Sequence, residues 1–263
     1  MANPRIPYLF SNEGPTLRPP PEGSIIVHLV VNVEHWQFEA TMPRTIITPP
    51  HGKETIPDVP NFNAGVIQAY PRAAQVMHEA GWEFIGHGVH QKSLNHSEGE
   101  AALIRTSLDM IADFTGKRPK GWLSPGLRES FDTPEHLKQE GIEYVFDWVI
   151  DDVPHWMHTQ HGPLLSLPYN LEINDSIIYA IEKHSSDEMF QRLSNTLELF
   201  RRESQRQPRV LAMGLHPHLI GVPHRFGSFE RMLDLLMRTP EVCFMTGQGI
   251  ADWYRAQVPA PIH

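Results

Sequence analysis

Four stretches of the chain place acidic, imidazole and amide side chains directly behind apolar runs. Glu34 follows Ile25–Val31 in IIVHLVVNVEHW, and His87, His90 and Gln91 follow Trp82–Ile85 in WEFIGHGVHQ. Asp151 and Asp152 follow Tyr144–Phe146 in YVFDWVIDD, and His216 and His218 follow Val210–Leu215 in VLAMGLHPH. A carboxylate with one or two imidazoles is a credible ligand set for zinc or another divalent ion, and an ion-bound water is a nucleophile near neutrality. The same groups also suit general acid–base work, in which an imidazole protonates a leaving nitrogen and an aspartate orients that imidazole. Taken singly, each is equally a polar residue closing a strand. Their repetition behind four apolar runs is what points to chemistry.

The elements that must carry these groups can be read from periodicity. Ile25–Val31 is a largely β-branched, apolar run, the pattern of a strand buried on both faces of a parallel sheet. Shorter apolar runs predict further strands at 82–85, 120–123, 144–146, 164–167, 210–215 and 242–245. Helices are expected between them. Pro71 opens one that Gly81 closes. Ser97 and Glu100 form a capping box for a helix over 97–116, with Leu103, Leu108, Ile111 and Phe114 as its apolar stripe. Thr133–Gly141, Ser185–Arg202 (with Ser185 and Glu188 as its cap), Ser228–Arg238 and Gly247–Ala256 complete the set. Strand–loop–helix units without hairpin signals imply an α/β fold, an irregular (β/α) barrel of about seven parallel strands. In such a fold the polar groups behind the strands share one rim, however far apart they lie in sequence.

With 263 residues the chain fits a single catalytic domain over 1–263. Residues 1–24 read as an extended lead-in. Residues 38–63, rich in proline, read as an arm that serves as a lid or substrate-binding element, or as an oligomer contact. The formal charge of -9 argues against nucleic acid or an anionic membrane surface as partner. The start MANPRIPYLF is not a secretory signal, and no apolar run is long enough to span a bilayer. The lone cysteine, Cys243, sits between Val242 and Phe244 as a core thiol and fits a reducing compartment. A cytoplasmic protein acting on a small molecule is the expectation.

The order NVEHW, GHGVHQ, GWLSPGLRES, FDWVIDDVP and LHPHLIGVPHR resembles the polysaccharide-deacetylase (NodB-homology) superfamily over residues 25–255, and within it the branch of allantoinases and cyclic-imide hydrolases. GLHPHLIGVPHRFGS and SLPYNLEINDSI are the most specific stretches. The resemblance implies a NodB-type irregular barrel, hydrolysis of a non-peptide C–N bond and a homo-oligomer. It also sets out departures. The deacetylase pattern has a catalytic Asp two residues before a metal-binding Asp, and Asn32 and Glu34 stand there. Its His-x-x-x-His metal pair matches His87 and Gln91, an amide being a much poorer zinc ligand. The late-strand histidine matches His216, in the proton-donor position, and the aspartate expected to support it is Asp151 or Asp152. The resemblance therefore leaves two cofactor states open: zinc on Glu34, His87 and Gln91, with His90 as the alternative ligand, or no ion. Relatives also carry a helix and a strand where PNFN here runs directly into AGVIQAYP, so about one βα unit is expected to be absent between Asn63 and Ala64. That would leave sheet edges exposed.

The activity expected is ring opening of a small cyclic amide, imide or ureide. Glu34 or a metal activates water, His216 protonates the departing nitrogen, and Asp151 supports His216. Trp36, Trp148 and Trp156 can wall a flat ring, while Arg128 or Asn174 holds a ring carbonyl. Two alternatives are a metal-dependent N-deacetylase of acetylated sugars and a non-catalytic barrel that binds a ligand.

Overall fold

The computed structural model describes residues 4–7, 9–10, 13–34, 65–91, 93–94, 99–148 and 150–261. Trp36, Ser97, the 38–63 arm and the junction of Asn63 with Ala64 lie outside the described residues. In chain order the elements are β1 (Ile25–Val31), α1 (Gly65–Ala69), α2 (Pro71–Glu79), α3 (Glu100–Thr115), β2 (Gly121–Trp122), α4 (Thr133–Gln139), β3 (Tyr144–Val145), β4 (His155–Met157), β5 (Leu164–Ser166), α5 (Glu188–Glu203), β6 (Arg209–Leu215), α6 (Pro217–Ile220), α7 (Pro223–Met237), β7 (Val242–Phe244) and α8 (Gly247–Arg255). A π-helical turn, Ser176–Ile181, precedes α5. The chain divides into two compact units, residues 1–31 with 143–263 and residues 32–142. No helix among the described residues is long and apolar enough to cross a membrane.

In the first unit β1 lies between β6 and β7 in a parallel sheet. Alternation along β1 sorts its side chains. Ile25 and Val27 join Met189, Leu193, Leu197 and Phe200 of α5 and Met232 and Leu236 of α7 in one core, with Leu29 and Val31 packed against it. Ile26, His28 and Val30 therefore face the other way. There the His28 ring stacks on Phe146 at 5.2 Å between centroids, and Phe146 in turn meets Tyr144 and Tyr169 edge-on. Burial on both faces explains why β1 reads as an unbroken apolar run apart from His28.

The remaining strands of this unit correct one expectation. β3 and β5 are parallel, but β4 pairs with β5 antiparallel, so the sheet is mixed. The residues between β4 and β5 form a tight return in which the Thr159 hydroxyl donates to the Gly162 carbonyl (2.6 Å) and Gly162 adopts φ +110. So short a connection between neighbouring strands forces them antiparallel.

The second unit is built on α3, whose buried face is Ile104, Ser107, Leu108 and Ile111. Leu103, expected in that stripe, is 41% exposed. The helix starts at Glu100, with Gly99 in the N-cap position at φ +77. The Glu100 carboxylate accepts from Ser130 Oγ (2.6 Å) and from Thr133 Oγ1, which ties α3 to the start of α4. The expected strand at 82–85 does not form; only Gly86 makes a ladder contact, with Trp122. A Cβ at Gly86 would lie 2.2 Å from the fully buried Trp122 ring, so this approach needs glycine. Two more helix starts shift. α5 has Asp187, not Ser185, in the N-cap position, because Glu188 turns to Arg192 (2.9 Å). α7 begins at Pro223, since proline is preorganised for a first helical turn.

Candidate active site

Each unit carries one buried polar cluster. In the first unit, β6 ends at Leu215 and hands His216 to its rim. The imidazole Nδ1 lies 2.6 Å from Asp175 Oδ1, and the His216 backbone N–H donates to Asp175 Oδ2 at 2.6 Å. Asp175 is completely buried and His216 is 5% exposed. A carboxylate can only accept, so Nδ1 carries the hydrogen, and Nε2 is the nitrogen that takes up and releases a proton.

This pairing corrects the expectation that Asp151 or Asp152 supports His216. Asp151 faces His155 at 3.2 Å and accepts the Asp152 backbone N–H at 2.7 Å. The hydrogen bond from His155 is the main cause that lowers its pKa, against the opposing effect of burial. Asp152 accepts from the Asn170 amide at 2.8 Å, and burial is the main cause that raises its pKa. Both aspartates are thus committed to other partners. The Asp175 signal was present in the sequence as Asn174-Asp175. What sequence reading missed is that Gly214 of β6 bridges to Asn174.

Asn174 calls for a second correction. It is 3% exposed, and its carboxamide is engaged within the protein. Its Oδ1 accepts the N–H groups of Ser176 (3.0 Å) and Ile177 (3.3 Å), and its Nδ2 donates to Tyr169 Oη at 3.1 Å. With both ends of the amide occupied, it does not hold a substrate carbonyl. Trp148 differs: its indole N–H is buried and has no hydrogen-bond partner among the described residues, while its backbone carbonyl accepts from Ser166 Oγ at 3.1 Å. Trp156 is spent on structure, since its indole N–H donates to the Val258 carbonyl at 3.0 Å.

In the second unit, the chain beyond β1 delivers Glu34, which is 4% exposed and accepts from Gln91 Nε2 at 2.9 Å. His87 Nδ1 lies 2.6 Å from the Leu123 carbonyl, so it is the Nδ1–H that donates there. The loop between them turns sharply at Gly88 (φ +72), where a Cβ would lie 2.9 Å from the Pro125 ring. Arg128 is exposed.

These donors fit a divalent ion poorly. Gln91 presents its amide nitrogen, not its oxygen, to Glu34, which takes it out of the ligand role expected of it. Among the described residues no group of three or more His, Cys, Asp and Glu side chains comes together as a metal cage, His90 included. Glu34 with Gln91 is better described as a hydrogen-bonded carboxylate than as part of a zinc site.

No family model matches the chain. Its fold matches the crystal structure of PuuE allantoinase with a TM-score of 0.83 and 22% identity, over 99% of this chain and 100% of that one. It matches a crystal structure from Pseudomonas aeruginosa PAO1, described as a polysaccharide deacetylase, with a TM-score of 0.82 and 20% identity, over 95% and 97% of the two chains. The chain thus shares the fold of these two structures. A curated relative from Schizosaccharomyces pombe, described as a polysaccharide deacetylase, is 26% identical over 217 residues, and the match spans 73% of this chain and 66% of the relative.

Proposed function

We propose that the chain is a hydrolase that opens a small cyclic amide, imide or ureide at a C–N bond. The observation that carries this reading is the buried Asp175–His216 pair, an imidazole fixed through Nδ1 with Nε2 as its working nitrogen. Water attacks the ring carbonyl and releases a proton to solvent. His216, protonated at Nε2, gives its proton to the ring nitrogen as the C–N bond breaks. The products are a carboxylate or carbamate and a neutral amide or amine, and His216 is then reprotonated at Nε2 from solvent. The Trp148 indole N–H is assigned to the substrate carbonyl. The fold shared with an allantoinase supports a ureide or a related ring as the substrate class.

The test is incubation of the purified protein with allantoin, succinimide, maleimide and hydantoin. Ring opening of at least one is expected, and opening of none contradicts the reading. Trp148→Phe keeps the ring and removes the donor, so KM is expected to rise about five- to tenfold with kcat nearly unchanged, the worth of one hydrogen bond. Steady-state kinetics on the best ring measure it.

A second reading, N-deacetylation of acetylated sugars, is favoured by the descriptions of the Pseudomonas and Schizosaccharomyces relatives. Asn32 in place of the pattern's catalytic carboxylate and Gln91 in place of its second imidazole weigh against it. Acetate release from chitooligosaccharides would select it.

A further inference from the structure

His216 can act as proton donor only while Asp175 keeps one pose, and the first unit contains a device that sets that pose. We infer that Asn174 is a positioning residue that aims Asp175 at His216, with Tyr169 as its anchor and Gly214 as the position that leaves room for it. This deepens the proton-donor reading of His216 and rests on it.

Beside β6 the chain at 173–175 begins as an added parallel strand. The Gly214 N–H donates to the Ile173 carbonyl at 3.0 Å, and Asn174 bridges Gly214. Two residues further on, a continued ladder would bring the His216 N–H to a backbone carbonyl. It meets the Asp175 carboxylate at 2.6 Å instead. The substitution occurs because the chain leaves the ladder at Asn174. The Asn174 Oδ1 accepts the N–H groups of Ser176 and Ile177, as an N-cap oxygen does, and starts the π-helical turn Ser176–Ile181. The Asp175 side chain is thereby left against β6, where one oxygen takes the His216 backbone and the other its ring.

The amide of Asn174 is itself fixed by Tyr169 Oη at 3.1 Å, and Tyr169 is 3% exposed and packed on Phe146. The two groups occupy the space a side chain at 214 would need. A Cβ there would lie 2.2 Å from Asn174 Nδ2 and 2.8 Å from Tyr169 Oη. Glycine at 214 is thus required by the neighbour's amide, two residues before the histidine that the amide serves.

The test reads the dyad without substrate. The His216 Nδ1–H proton, shielded by Asp175, gives a low-field NMR resonance in the full chain, assigned by its loss in His216→Ala. Its solvent exchange is expected to be about tenfold faster in Asn174→Ala, the change one hydrogen bond of ordinary net strength allows. In Asn174→Ser, which keeps a capping oxygen, it is expected to return to within about threefold of the wild type. Tyr169→Phe moves exchange in the same direction as Asn174→Ala and replaces it if that variant does not unfold cooperatively. An acceleration smaller than about threefold in the variant used, or no recovery in Asn174→Ser, overturns the inference. If the resonance behaves as expected in a protein that opens no ring, the positioning stands and the proton-donor reading of His216 falls.

Discussion

His216→Ala is expected to lower kcat for ring opening by about 10²- to 10⁴-fold, the range for loss of a positioned general acid. KM is expected to change little, because His216 acts on the departing nitrogen as the bond breaks, not on the ground-state ring. Asp175→Asn should lose activity in the same direction while keeping nearly the same shape. An asparagine there presents one oxygen and one amide nitrogen where the backbone N–H and the ring Nδ1–H of His216 both need an acceptor. Asp151→Asn, by contrast, disturbs contacts with His155 and the Asp152 backbone and should leave kcat within about threefold. Steady-state kinetics on the three variants and the wild type, with cooperative unfolding confirmed for each, separate the two aspartates. Equal losses in Asp151→Asn and Asp175→Asn would return the supporting role to Asp151.

Acid stability should depend on His28. Its side chain is 7% exposed, its Nδ1 has no partner among the described residues, and burial lowers its pKa from 6.5 to about 4. Between those values the unfolded chain binds a proton that the folded chain refuses, so stability falls as pH drops through that window and is unaffected well above it. From pH 7 to pH 5 this one group is expected to cost about 2 kcal/mol. His28→Leu fills the same space beside Phe146 without titrating, and it should flatten the wild-type decline by that amount. Urea unfolding of both proteins at the two pH values measures the difference, and parallel declines would contradict the assignment.

How much of this was legible in the sequence depends on whether a residue's role is set locally. β1, β5 and β6 follow from apolar runs, and the helix openings at Pro71 and Thr133-Pro134 follow from proline at a first turn. His216 was legible for the same reason, because an apolar run stops at it. The partner of His216 was not. Asp151 and Asp175 are both aspartates in loops, and only the register of Asn174 against Gly214 decides which one reaches the imidazole. β4 escaped because His155–Met157 is short and follows Pro154, and its reversal into β5 uses a side-chain-closed loop, not an Asn-Gly turn. The register of α3 was misplaced because Glu100, which looks like half of a capping box, bonds to Ser130 and Thr133, more distant in the chain. The amide of Asn174 reads in sequence as a free carbonyl binder, and only its three hydrogen bonds show it to be occupied.

The central claim is that Asp175 and His216 act as one unit in ring opening. A kinetic cycle of Asp175→Asn, His216→Ala and the double variant on the best ring of the panel tests it most directly. Groups acting in one chemical event are strongly non-additive, so the double variant should be slower than the worse single variant by no more than about tenfold. Losses that multiply in full, or a wild-type protein that leaves every ring closed and instead releases acetate from chitooligosaccharides, would contradict the account.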